Sequence, residues 1–519
     1  MHRREISTSK AQGKHEISVP QGQGRLEAEF CLIFAARIST KKPRPSPRFF
    51  FHSIFAATTH HLDNIEMNLQ TTRHQASVVH AGNRQLKAVV AATIGNALEW
   101  FDIIIFGFFA ITISKTFFPS KDDFTSLLMT VATFGVSFIA RPLGAVVLGI
   151  YADRAGRKAA LTLSLLLMTA GTLVIALAPG YAAIGVWAPA LVVLSRVIQG
   201  FSAGGEFGSS TAFLLEHTPR HQRGFYASWQ VASQGLTALL AAFFGFLISQ
   251  LPLDAQLSWG WRVPFLFGAL IGPVGFYIRS KVEESPEFVA AAMAQNKVSN
   301  AATVTEATAS ASSAVEGPKG LSGILPATGL IVLATTASYL LLLYMPTYSI
   351  RQLHLAPSLA YYSVMAAGIV QFVLSPLFGA LADRFGTTRV MVPGALLVGI
   401  GMYPALVYIG AAPSVSRIVS MQLLLGIGLA AYFAPVPALM GRLFGTRGRT
   451  TGLSISYSLA VTVFGGFAPF IVTWLIGKTG NALSPAYYVG FGALVSLIAL
   501  SQCSSASRAA QTAAPSDAH

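Results

Sequence analysis

Twelve stretches of mostly apolar residues, each close to helix-spanning length, follow one another with short polar breaks: 88–113, 126–150, 159–178, 186–213, 225–249, 262–279, 324–346, 359–382, 390–411, 416–439, 451–476 and 486–500. Roughly 20 apolar residues in a helix cross the ~30 Å hydrocarbon core of a bilayer. A helix also satisfies its own backbone groups, as lipid requires. The pattern therefore predicts an all-α membrane protein of twelve transmembrane helices in two six-helix halves. The last stretch is the shortest.

Two segments break the rhythm. Residues 280–322, with AATVTEATASASSAVEGPKG at 301–320, are rich in Ala, Ser and Thr and read as a cytoplasmic linker between halves at 88–279 and 323–500. Residues 1–87 are polar and aperiodic, without the basic start, apolar centre and small-residue cleavage site of a signal peptide. Met67 opens an ordinary lead-in (MNLQTTRHQASVVHAGNRQLK), so residues 1–66 are expected to be dispensable or untranslated. Residues 501–519 form a polar tail.

Composition sharpens this picture. Only 11% of residues are charged, against roughly 25% in soluble chains. The net charge of +15 does not indicate nucleic acid, because the positive residues crowd into the amino-terminal segment and the short loops. Their asymmetry sets orientation. Arg154, Arg157, Lys158, Arg220, Arg223, Arg384, Arg389, Arg442, Arg447 and Arg449 fall on one side, whereas Lys115, Lys121, Arg351, Arg417 and Lys478 fall on the other. Both termini are thus expected in the cytoplasm. Cys31 and Cys503 are the only cysteines, too few and too distant for a disulfide framework or metal cluster. Neither a P-loop nor a dinucleotide fingerprint occurs, and no nucleophile–base set shares one depth. No cofactor and no catalysis are expected.

The chain repeats itself. GIYADRAGRKAAL at 149–161 matches GALADRFGTTRVM at 379–391, and Arg223 and Ser228 match Arg449 and Ser454. Repeated halves of this kind enclose a site near the midplane. Gly149 and Gly379 permit close helix approach. Asp153 and Asp383 stand where a carboxylate caps the next helix and meets arginines of the other half.

Both loops resemble the G-x-x-x-D-R-x-G-R-[KR] signature of the major facilitator superfamily. Further motifs are GNALEWFD (95–102), ARPLGA (140–145), RVIQGFSAGGEFG (196–208), RGFYASWQ (223–230), WGWRVPF (259–265) and VEESPEF (282–288). Together these are similar to the metabolite:proton symporter branch over residues 88–500. SWQVASQ (228–234) and SYSLAVTVFGGFAP (456–469) look most like its citrate and tricarballylate symporters. The resemblance implies a monomer in the inner membrane that carries a small organic acid with protons by alternating access. Uptake of a zwitterion such as proline or betaine stays open on the same frame, and so does a transporter-like sensor.

Ionisable groups at bilayer depth are costly, ~2.5–3.5 kcal/mol each on insertion scales, and mark function. Away from the ends of the stretches above they are Glu99, Asp102, Arg141, Arg196 and Glu206, all in the first half. With no His or Lys among them, proton coupling falls to Glu99, Asp102 or Glu206. Glu99 and Asp102 are three apart on one helix, so their titrations couple. Arg141 and Arg196 offer planar forks for a carboxylate, with Gln199 nearly on the face of Arg196. Either arginine has a purely structural alternative, paired with Glu99 or Asp102. Gly200, Gly204 and Gly208 make a flat packing face, with Glu206 beside it. Gating is expected from Asp153, Arg154, Arg157, Asp383, Arg384, Arg223 and Arg449. The second half offers only polar tips, among them Tyr339, Gln371, Gln422 and Tyr457.

Overall fold

The computed structural model describes residues 85–87, 89–280, 323–445 and 449–512. The amino-terminal segment before residue 85, with Met67, and the linker at 281–322 lie outside the described residues. Twelve long helices follow in order: α1 (Gln85–Phe108), α2 (Asp123–Ala155), α3 (Arg157–Leu177), α4 (Trp187–His217), α5 (Arg223–Ser249) and α6 (Arg262–Ser280). The second set is α7 (Ile324–Arg351), α8 (Pro357–Phe385), α9 (Thr387–Ala411), α10 (Val415–Gly441), α11 (Arg449–Thr479) and α12 (Ser484–Thr512). Eleven are apolar enough over a bilayer-length window to cross a membrane, and α4 is the exception. It holds Arg196, Gln199 and Glu206 along its length.

Helix ends differ from the hydropathy pattern where polar residues continue a helix. The first stretch was expected to run from 88 to 113, yet α1 stops at Phe108 and a separate short helix covers Ala110–Phe117. The last was expected to end near 500, whereas α12 continues through SQCSSASRAAQT to Thr512, well beyond the apolar run.

The two D-R-x-G copies fold alike. α2 and α8 each stop one residue short of a glycine, Gly156 at φ 98° and Gly386 at φ 96°, and the next helix starts immediately after it. A side chain disfavours that left-handed region, so glycine is required at both turns.

α1, α7 and α10 are buried nearly all round, while the other spans turn one face outward. The outward faces carry exposed Leu143, Ile150, Leu194, Leu270, Ile400 and Leu494, as lipid contact demands. Inside, small residues bring backbones together. A Cβ on Gly204 would overlap the α2 backbone at Arg141, Gly144 and Ala145, while one on Gly208 would meet Thr450 and Ser454 of α11. The glycine face of α4 thus serves α2 at one level and the second half at the next. α5 and α8 run against each other along their length, with Gly224 on Gly379 and Gly235 on Gly368.

Pro142 inside α2 has no N–H to give the carbonyl four residues back. That carbonyl, on Phe138, instead accepts from Thr462 Oγ1 of α11 at 2.7 Å. A helix fault in one half is thereby used as a contact with the other.

Candidate functional site: two buried arginine–carboxylate pairs

Glu99 and Asp102 stand one turn apart on α1 and face different partners. Glu99 is paired with Arg141 Nη2 of α2. Asp102 Oδ2 accepts from Arg196 Nη1 of α4 at 2.9 Å, and its Oδ1 accepts from Thr172 Oγ1 of α3 at 2.9 Å. All four ionic side chains are buried. Close by, α4 meets the α2 backbone at Gly200 against Ser137 and at Gly204 against Arg141.

Aromatic rings shield both cations. Arg141 lies over Phe138 at 4.6 Å and Arg196 over Phe106 at 4.0 Å, a favourable arrangement for a desolvated guanidinium. Neither fork is fully used. Arg141 Nε and Nη1, and Arg196 Nε and Nη2, make no hydrogen bond among the described residues. Each arginine is bound to its acid while retaining donors for a further acceptor.

Gln199 turns its amide nitrogen to Thr172 Oγ1 at 3.0 Å, so it buttresses the Asp102–Arg196 pair, and its Oε1 has no partner among the described residues. Glu206 shares a narrow cavity with Glu99, lined also by Ser164 and Ser202 between α1, α3 and α4. It therefore belongs with the acids of the first half.

The second half contributes Tyr339 and Tyr457, both electrostatic neighbours of Arg141. Tyr339 packs on Trp100 at 5.4 Å and Phe138 at 5.8 Å, and Tyr457 stacks flat on Phe207 at 3.8 Å. Each precedes or opens a π-helical turn, Tyr339–Tyr344 in α7 and Val461–Gly466 in α11. Such turns re-aim side chains and gather at functional sites. Hydropathy carries no trace of them, so these two tyrosines did not stand out among the other polar tips. Gln422 serves the same irregular turn by donating to the Leu341 carbonyl at 2.8 Å.

At the end of the helices that carries the D-R-x-G turns, Asp383 accepts from the backbone N–H groups of Gly224 and Phe225, both at 2.9 Å. It caps α5 from the end of α8. Arg449 at the start of α11 reaches Glu216 of α4 at 3.9 Å. Glu216 was missed in the sequence because it lies just past the apolar run. Arg154 and Arg384 are exposed, and the side chains of Asp153 and Arg157 lie outside the described residues. Asp383→Asn should weaken the α5 cap and slow turnover about tenfold while substrate affinity changes little. Equilibrium binding beside initial uptake rates measures this, and a loss confined to affinity would contradict it.

Comparison with known proteins agrees with this architecture. The family model for sugar (and other) transporters matches residues 87–503. A citrate-proton symporter of Klebsiella pneumoniae is 39% identical over 435 residues, covering 83% of this chain and 95% of that protein. A proline/betaine transporter of Escherichia coli is 32% identical over 422 residues, covering 79% and 82%. Among solved structures, the E. coli xylose transporter in a partially occluded inward-open conformation aligns with a TM-score of 0.63 at 19% identity, over 80% of this chain and 97% of that one. Twelve long helices, repeated signature loops and a family match over residues 87–503 leave one assignment: the chain belongs to the sugar (and other) transporter family of the major facilitator superfamily.

Proposed function

We propose that this protein is a proton-coupled symporter that takes up a small organic carboxylate, of the citrate or tricarballylate kind or a dicarboxylate, by alternating access. The observation that carries the reading is the pair of buried Arg–carboxylate contacts with donors left over on both guanidinium groups. An anionic substrate completes the arginine forks. A proton on Glu99 or Asp102 releases the paired arginine to grip it, and loss of that proton inside returns the arginine to its acid and expels the substrate. Glu206, beside Glu99, offers the proton a next position towards the cytoplasm. Relatives that are citrate-proton symporters support the substrate class.

A second reading is uptake of a zwitterion such as proline or betaine, favoured by relatives of that description and by acids and arginines standing together in one site. Reconstituted vesicles given labelled carboxylates and betaines, with and without an imposed inward proton gradient, separate the two. Accumulation of a carboxylate that requires the gradient is the expected result. Accumulation of betaine or proline alone would replace the first reading with the second.

A further inference from the structure

Gln234 of α5 is fully buried, yet neither its Nε2 nor its Oε1 has a hydrogen-bond partner among the described residues. A buried primary amide unsatisfied at both ends is costly and uncommon. Its direction follows from its neighbours. One face of α5 meets α8, where the Val231 carbonyl accepts from Gln371 Nε2 at 3.3 Å and Gly235 packs on Gly368 and Phe372. Another face meets α1, where Asn96 donates to the Gln230 carbonyl at 2.9 Å and to Ser233 Oγ at 2.7 Å. With 3.6 residues per turn, Gln234 falls between these faces, towards the junction of α1 in the first half and α8 in the second. On α8, Gln371 Oε1 is likewise without a partner among the described residues.

The chemistry of the unused atoms is specific. Two of them, the Oε1 atoms of Gln234 and Gln371, are acceptors and call for a donor from the ligand. An ionised polycarboxylate has none, whereas a hydroxy acid has one. We infer that Gln234, with Gln371 beside the same junction, forms a neutral subsite that reads the hydroxyl of a hydroxycarboxylate. The hydroxyl donates to an amide oxygen, and Gln234 Nε2 donates to the neighbouring carboxylate. This rests on the organic-acid reading above and narrows it from carboxylates in general to hydroxylated ones.

Citrate and tricarballylate differ by that hydroxyl alone, so the test is their relative uptake by wild type and Gln234→Leu in vesicles under an imposed pH gradient. Wild type should favour citrate in kcat/KM. In Gln234→Leu the preference should shrink about tenfold, because both acids lose the carboxylate contact and citrate alone also loses the hydroxyl contact. Should that variant not be recovered folded, Gln371→Leu is read by the same ratio. An unchanged ratio, or a wild type that favours tricarballylate, overturns the subsite alone. A wild type that carries neither acid overturns the organic-acid reading and the subsite with it.

Discussion

The double variant Glu99→Gln, Asp102→Asn should lose the ability to accumulate substrate against its gradient while still exchanging it downhill. Each coupled proton crossing a one-unit pH difference supports about a tenfold substrate ratio, since one pH unit corresponds to ~1.4 kcal/mol. Without a titratable group at the arginines that contribution vanishes, and the internal-to-external ratio should relax to the value set by substrate charge alone. The amides imitate the protonated acids, so Arg141 and Arg196 are released permanently. A buried arginine without a counter-charge is costly, and an anionic ligand restores one. Substrate should therefore protect the double variant against thermal unfolding more than it protects the wild type. Counterflow of labelled substrate and a ligand-dependent melting curve read the two halves of this prediction. Accumulation driven by a pH difference in the double variant would move coupling to another group, with Glu206 first in line.

Breaking one pair from the cationic side should destabilise the protein sharply. Arg196→Ala leaves Asp102 buried with the Thr172 hydroxyl as a neutral donor, and removal of one partner of a buried pair costs about 3–5 kcal/mol. Adding Asp102→Asn removes the stranded charge, so the double variant should recover most of that loss. Melting temperatures of the four proteins of this cycle in detergent give the coupling directly. A double variant as unstable as Arg196→Ala would mean that Asp102 is not the group Arg196 compensates.

Much of this architecture was legible because lipid imposes a simple rule, and runs of about twenty apolar residues leave little choice of element. The 230-residue spacing of the two D-R-x-G loops showed the halves, and Gly156 and Gly386 turn out to adopt the same backbone conformation. The charged groups were also legible, since Glu99, Asp102, Arg141 and Arg196 stand out against apolar surroundings. Their pairing was not. Each arginine was a sensible partner for either acid, and only the packed helices distinguish the two. Tyr339 and Tyr457 were hidden for a different reason. Whether a tyrosine on a long apolar helix faces lipid or the centre depends on its turn, and the π-helical segments of α7 and α11 shift that turn. Gln234 was a letter in a family motif until burial exposed its unused amide.

The central claim is that substrate and proton cross together, and proton movement itself tests it most directly. Vesicles holding the purified protein and a trapped pH indicator are given external citrate with no pH difference across the membrane. Substrate entry should acidify the lumen, the Glu99→Gln, Asp102→Asn double variant should abolish the acidification, and empty vesicles should show none. Labelled citrate entering without acidification would contradict the account.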